Sequence, residues 1–264
     1  MRQVKYAMGA TLKVVILAGG LGTRISEETG EKPKPMVLIN DKPILWHLMN
    51  IFSGQGFNNF VIALGYRGDV IENWLTELHE NEEDKHSGSD TILTNKGESN
   101  WNVETLRTGL ETQTGGRIRQ CMEHFQDQRI IVTYGDGLAN ISINQLLHFH
   151  ESHGKLATVT AVRPPARFGH LGLKGNVVTS FDEKNQADAG WINGGFFVLE
   201  PQVVNYIFND LEPFEVGALP RLVADHQLMA FHHSDFWQPM DTLRDRNVLT
   251  EYAKETPPPW LKLD

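Results

Sequence analysis

The chain has 264 residues, 40% hydrophobic and 22% charged, with a formal net charge of -9 at pH 7. Those proportions describe a soluble globular protein with one sizeable core or two small ones, and they exclude wholesale disorder. The negative charge argues against non-specific binding to nucleic acid or a membrane surface, which needs a positive field, but it leaves room for a local basic pocket. The single cysteine, Cys121, allows no intrachain disulfide; it reads as a small core residue in a reducing compartment. No apolar run approaches the ~20 residues of a membrane span. Val14 to Ala18 is too short for a signal peptide, so a cytoplasmic location is expected.

Residues 1–12 are an N-terminal extension without a motif. Lys13 to Leu17 reads as a buried strand, followed by a polar loop from Gly19 to about Asp41. Pro43 suits a first helical position, with Asn40 or Asp41 near the cap. Ile44, Leu45, Leu48, Ile51 and Phe52 give that helix a core face. Phe60 to Leu64 is the next strand, and Val70, Ile71, Trp74, Leu75 and Leu78 mark a second helix. The polar stretch from 79 to 104 reads as an excursion from the main sheet. A helix follows around Ile118, Cys121, Met122 and Phe125. Arg129 to Thr133 is a strand ending at Tyr134-Gly135-Asp136-Gly137, and Ile143, Leu146, Leu147 and His150 face a further helix.

The pattern then turns antiparallel. Ala157 to Val162 is a strand, Leu171–Leu173 and Val177–Phe181 flank the hairpin signal Lys174-Gly175-Asn176, and Phe196 to Leu199 is another strand. Pro257-Pro258-Pro259 reads as a stiff tail. The expected class is α/β: a Rossmann-like, mostly parallel mixed sheet flanked by helices, with a smaller antiparallel part and C-terminal helices. One domain is expected over 13–264.

In such a sheet, ligands bind beyond the carboxyl ends of the strands. Two of these ends carry unusual residues. At the first, Leu17-Ala18-Gly19-Gly20-Leu21-Gly22-Thr23-Arg24, glycines let backbone N–H groups approach phosphate oxygens and Arg24 adds a bidentate cation. The glycines alone also fit a plain tight turn. They match neither the dinucleotide fingerprint nor a P-loop. Lys32-Pro33-Lys34-Pro35-Met36 lies on the same loop, its prolines aiming the lysines. At the second end, Gly135-Asp136-Gly137 leaves room around Asp136 for a hydrated Mg²⁺ and a polyphosphate, although an Asp ending a strand in a turn is also common. Asp241 is the candidate second carboxylate, with capping of the terminal helix as its rival role.

Taken together these pieces resemble the sugar nucleotidyltransferase family (nucleotide-sugar pyrophosphorylases), from Lys13 to Trp260. The resemblance rests on Leu17 to Arg24, Lys32 to Met36, Pro43 to His47, Tyr134 to Gly137, Arg167-Phe168-Gly169 and Ile192 to Phe197. Thr114-Gly115-Gly116-Arg117 and Phe236 to Thr242 are similar to the cytidylyltransferase branch. The resemblance implies that residues 13–150 are mainly a nucleotide-binding half, with an excursion near 80–105, and that 151–264 bind mainly sugar phosphate. Leu17 to Thr23 would wrap the nucleotide, with Arg24 and Lys34 on its phosphates and Gly135 beside it. Thr112 and Arg117 would contact nucleotide, and Asp136 and Asp241 would hold Mg²⁺. Glu183 and Lys184 would meet the sugar phosphate, Asn193 and Gly194 the sugar hydroxyls, with Glu215 near the sugar.

The implied reaction moves a cytidylyl group from CTP to α-D-glucose 1-phosphate, giving CDP-glucose and pyrophosphate, in a homo-oligomer. Relatives of this type feed polysaccharide biosynthesis. The family's Glu-Lys-Pro is Glu183-Lys184-Asn185 here, its Met before Ile-Asn-Gly-Gly is Trp191, and Asn209 to Arg221 is rewritten. These departures flank the sugar pocket, not the reacting phosphates. The competing readings are the same chemistry with dTTP, UTP, GTP or another hexose 1-phosphate, a non-catalytic nucleotide-binding homologue, and a dinucleotide-dependent oxidoreductase.

Overall fold

Strand β1 (Lys13–Ala18) is buried along almost its whole length because helices cover both faces of the sheet it centres. In the computed structural model the described residues are 12–20, 22, 30, 32–79, 92–94, 101–126, 128–165, 170–174, 176–182 and 190–263. A two-residue ribbon, β2 (Leu38–Ile39) with β3 (Lys42–Pro43), leads into helix α1 (Ile44–Ser53). Strand β4 (Asn59–Leu64), helix α2 (Gly68–His79), strands β5 (Ile92–Thr94) and β6 (Asn102–Arg107) and helix α3 (Thr114–Phe125) come next. Then follow β7 (Ile130–Tyr134), β8 (Gly137–Ala139), α4 (Ile143–His153), β9 (Ala157–Val162), the hairpin β10 (His170–Lys174) with β11 (Val177–Asp182), and β12 (Ile192–Leu199). Helix α5 (Ala218–Ala224), β13 (Leu228–His233), β14 (Trp237–Pro239) and α6 (Leu243–Tyr252) complete the order.

Among the described residues the main sheet has eight strands, in the order β13-β9-β12-β7-β1-β4-β6-β5. β7, β1, β4 and β6 run parallel; β12 opposes β7 and β9, and β5 opposes β6. This is the expected mixed, mostly parallel sheet. Alternate β1 residues feed two cores. Val14 and Ile16 join Leu45, Leu48, Phe52 and Leu146 on one side. Val15 and Leu17 join Ile118, Cys121, Phe125 and Leu222 on the other. Cys121 is fully buried there, and burial pushes its thiol up to about 12, so it is an inert core residue as expected.

Three expectations need correction. Asn40 and Asp41 do not cap α1: they form the turn between β2 and β3, Asn40 taking φ 58°, and Pro43 itself precedes the helix at φ -58°. The first helical N–H, of Ile44, donates instead to Val37 O at 3.0 Å, and no side chain caps the helix. Within the stretch near 80–105, the described residues 92–94 and 102–105 belong to the main sheet, in β5 and β6. Residues 102–107 alternate between half-buried and buried, the period of a strand, and Trp101 packs edge-on against Phe60, drawing the chain back to β4. The proline-rich end is docked, not free: Trp260 is buried against His47 and Phe236. Residues 1–11 and most of 80–100 lie outside the described residues. Among the described residues no helix is long and apolar enough to cross a membrane.

Candidate active site

Because β1 and β7 are parallel neighbours, with Leu17 opposite Tyr134, the glycine loop and the Gly135-Asp136-Gly137 turn leave the sheet side by side. β12 is antiparallel to β7, so its first residues, Ile192 and Asn193, start at the same edge. A cavity of about 730 Å³ opens there, lined from β1, the Lys34 turn, the 110–114 segment, β7, β12 and Asp241. Its size suits a nucleotide-scale ligand.

Arg117 shapes the glycine loop. It is buried, and its guanidinium donates to the carbonyls of Leu64 (3.0 Å), Gly109 (3.0 Å) and Gly19 (3.1 Å) and to the Thr108 hydroxyl. A Cβ on Gly19 would fall 2.1 Å from its Cζ, so glycine is required where backbone and guanidinium stack. Arg117 therefore meets the cavity from beneath the loop, with most of its donors committed to protein carbonyls. The two glycines before it have their own cause. A Cβ on Gly115 would lie 2.5 Å from the Glu212 carbonyl, and one on Gly116 2.5 Å from Asp210 Cα. Helix α3 can start only by pressing bare backbone against the 210–214 segment, sealed by Gln113 N–H to Asp210 O and Gly115 N–H to Glu212 O.

The charged centre is assembled from three distant segments. Lys34 opens a 3₁₀ turn, Lys34–Met36, whose Met36 is buried. Pro35 packs on Gly135, where a Cβ would sit 2.8 Å from Pro35 Cγ, and Gly135 N–H donates to Leu17 O. β14 pairs with β8, placing Pro239 opposite Gly137, and Met240 N–H donates to Asp136 O at 2.8 Å. Lys34 Nζ consequently lies 2.6 Å from Asp136 Oδ2 and 2.8 Å from Asp241 Oδ1. Burial alone would lower the Lys34 ammonium, but the two carboxylates outweigh it and hold the pKa above the ordinary lysine value.

Asp241 is not the cap of the last helix. Thr242 is, in a capping box completed by Asp245, whose Oδ2 also accepts from the Asp241 N–H. The Asp241 carboxylate is thereby spared for the site. Two carboxylates converging on one cation, each about a third exposed and next to open space at Gly137, suit a hard divalent ion that keeps most of its waters. Among the described residues no cluster of three His, Cys, Asp or Glu could make a closed protein cage.

On the opposite wall, Asn193 Oδ1 accepts from Gly195 N–H at 2.8 Å and its Nδ2 donates to Tyr134 Oη at 3.2 Å. Gly194 lies against Val162 and its carbonyl accepts from Trp237 Nε1 at 2.8 Å. Glu215 accepts from the Thr114 hydroxyl at 2.7 Å and from the Tyr134 hydroxyl. Thr112 lines the cavity and donates to the Thr108 carbonyl. The structure thus brings Leu17 to Gly20, Gly22, Lys34, Thr112, Arg117, Gly135, Asp136, Asn193, Gly194 and Asp241 to one cavity. Glu215 stands behind Thr114 and Tyr134. Leu21, Thr23, Arg24, Glu183 and Lys184 lie outside the described residues. Sequence reasoning assigned no role to Tyr134, Gln113, Thr114 or Trp237, all of which line the cavity. Thr114 and Trp237 did lie in the quoted motifs, and Tyr134 was signalled as a hydroxyl-bearing side chain closing an apolar strand immediately before Gly135-Asp136.

The nucleotidyl transferase family model matches residues 13–245, so the chain belongs to that family. It is 46% identical to the glucose-1-phosphate cytidylyltransferase of Salmonella typhimurium, over 94% of this chain and 98% of the relative. It is 40% identical to a probable glucose-1-phosphate cytidylyltransferase of Bacillus subtilis, over 89% of this chain and 93% of the relative. Among solved structures, HddC from Yersinia pseudotuberculosis complexed with GMP-PN superposes with a TM-score of 0.69 at 25% identity, covering 92% of this chain and all of that one.

Proposed function

We propose that the chain transfers a cytidylyl group from CTP to α-D-glucose 1-phosphate, releasing pyrophosphate and forming CDP-glucose. One observation carries the reading: Lys34, Asp136 and Asp241 converge at the mouth of a nucleotide-sized cavity, in a chain 46% identical to a glucose-1-phosphate cytidylyltransferase along nearly its full length. A phosphate oxygen of the sugar phosphate attacks the α-phosphorus of CTP, and the bond to the bridging oxygen of the β-phosphate breaks in line. The chain supplies no nucleophile of its own. It positions two polyanions and offsets their charge.

The glycine loop, with Arg117 beneath it, holds the nucleotide. Lys34 and Arg24 stabilise charge on the transferring and leaving phosphates. Glu183 and Lys184 meet the sugar phosphate, while Asn193 and Gly194 meet the sugar. Asp136 and Asp241 would hold Mg²⁺, which when bound neutralises phosphate charge. The chain acts in the cytosol, where nucleotides are available, and as a homo-oligomer; light scattering that gives a monomer at micromolar concentration overturns the latter.

The test is pyrophosphate release with Mg²⁺ and glucose 1-phosphate, offering CTP, UTP, dTTP, GTP and ATP in turn, beside an Asp136→Ala control. Release with CTP alone, lost in the variant, is the expected result. Release only with another nucleotide overturns the choice of base, and silence with all five overturns the substrate pair.

A further inference from the structure

Tyr134 ends strand β7 with its ring against the site and its hydroxyl at the centre of a hydrogen-bond chain. The phenol donates to Glu215 and accepts from Asn193 Nδ2 at 3.2 Å. Glu215 also accepts from the Thr114 hydroxyl at 2.7 Å, whose oxygen in turn accepts from Phe214 N–H at 2.8 Å. The direction of every bond is fixed. Glu215 accepts from both the Tyr134 and the Thr114 hydroxyls, so the phenol's one proton is spent on the carboxylate. Its oxygen can then only accept from Asn193, which sets the amide with Nδ2 towards Tyr134 and Oδ1 towards Gly195 N–H.

That orientation leaves Asn193, which is exposed on the cavity wall, with one N–H donor and one carbonyl lone pair to offer side by side. A donor next to an acceptor matches the hydroxyls of a sugar ring, each of which can both give and receive. The ring of Tyr134 is fixed as well. It lies edge-on to Phe197 at 5.9 Å, and Gly195, at φ 82°, has no room for a Cβ, which would fall 2.6 Å from the tyrosine ring.

We infer that Tyr134 is a positioning residue for sugar recognition, orienting the Asn193 amide through its hydroxyl and tying it, through Glu215, to Thr114 at the start of α3. The inference rests on the sugar-phosphate reading above and deepens it. Tyr134 has no spare proton for the substrate, so it acts through Asn193. Its loss should therefore weaken the hold on the sugar and leave the hold on the nucleotide alone.

Turnover of CTP with glucose 1-phosphate by the unmodified chain tests the underlying reading. The inference is tested separately, by titrating CDP-glucose and CDP into the unmodified chain, Tyr134→Phe, Asn193→Ala and the double variant. Tyr134→Phe keeps the ring and removes only the hydroxyl. It should weaken CDP-glucose about tenfold while CDP changes by less than about twofold. In the Asn193→Ala background, adding Tyr134→Phe should cost almost nothing more, because the second change acts through the first. Glu215→Gln, which reverses one of the two contacts that carboxylate receives, should shift CDP-glucose in the same direction by less. Equal weakening of CDP and CDP-glucose, an unchanged CDP-glucose affinity in Tyr134→Phe, or a full additional loss in the double variant would each overturn it.

Discussion

Lys34 and Asp136 stand 102 positions apart in the chain, and their side chains meet at 2.6 Å, with Asp241 closing on the same ammonium at 2.8 Å. A divalent ion held by both carboxylates would compete with that ammonium for their negative charge. Lys34→Met should therefore bind Mn²⁺ more tightly in the absence of nucleotide, read by electron paramagnetic resonance of the free ion. Pyrophosphate release should fall on the order of a hundredfold or more, because a charge-stabilising donor is gone. Unchanged Mn²⁺ affinity in the variant would contradict the competition.

Asp136→Asn should remove turnover by a similar or larger factor and weaken Mn²⁺ binding. Lys34 retains Asp241, and the Asp136 side chain is about a third exposed, so unfolding by urea should shift by no more than about 1 kcal/mol. Loss of activity accompanied by collapse of the fold would assign Asp136 a structural role instead.

Asp245 tests how the second carboxylate is kept available. Asp245→Ala removes the acceptor for the Asp241 and Thr242 N–H groups and half of the capping box. A destabilisation of about 1 kcal/mol is expected. The Mg²⁺ concentration for half-maximal rate should also rise, since Asp241 loses the contact that fixes its backbone. A variant less stable but with unaltered Mg²⁺ dependence would separate the cap from the site.

Arg117 should behave as a support of the glycine loop. Arg117→Ala removes charge-assisted donors from the Gly19, Leu64 and Gly109 carbonyls, of which Gly19 keeps the Tyr66 N–H and Leu64 the Thr108 N–H, and should cost about 3 kcal/mol of stability in denaturant unfolding. Arg117→Lys should recover only part, because an ammonium cannot reach acceptors spread around a planar fork. Gly19→Ala, which puts a methyl 2.1 Å from Arg117 Cζ, has to displace that guanidinium, and should both raise the KM for CTP and lower stability. An Arg117→Lys variant with full stability would refute this account.

Stability should decline in mild acid. His150 is buried, with Nδ1 on Thr158 Oγ1 at 2.8 Å and Nε2 on Glu200 at 3.1 Å; His153 and Arg129 also face this cluster. Burial lowers its pKa from the ordinary 6.5, against the opposing pull of Glu200. Between the lowered value and 6.5 the unfolded chain binds more protons than the folded one, so folding stability falls as pH drops below about 6.5 and is fully present above it. His150→Gln should flatten that slope between pH 7.5 and 5.5 in urea titrations, whatever its effect at neutral pH.

The order of strands and helices was legible because their apolar periods are strong. Val14 to Leu17 is apolar at every position, and that is the signature of a strand covered on both faces. The ends of β1 and β7 could be singled out by chemistry alone: glycines, Lys34 and Asp136 have no place in a packed core. Elsewhere local signals gave way to tertiary packing. Asn40 and Asp41 have cap-like chemistry, but pairing of β2 with β3 used them as a turn. Trp101, packed on Phe60, leads into β6, a strand of largely polar sequence. Whether Asp241 caps a helix or faces the site depended on Thr242 taking the N-cap, in a capping box with Asp245. The sequence by itself determined the fold class, the two strand ends that meet at the cavity, and Lys34 and Asp136 beside them. Only the tertiary structure decided that Lys34, Asp136 and Asp241 share one point, that Arg117 supports the loop from below and that Tyr134 holds Asn193. Those relationships join segments as much as 207 residues apart, and no local pattern encodes contact across such a distance.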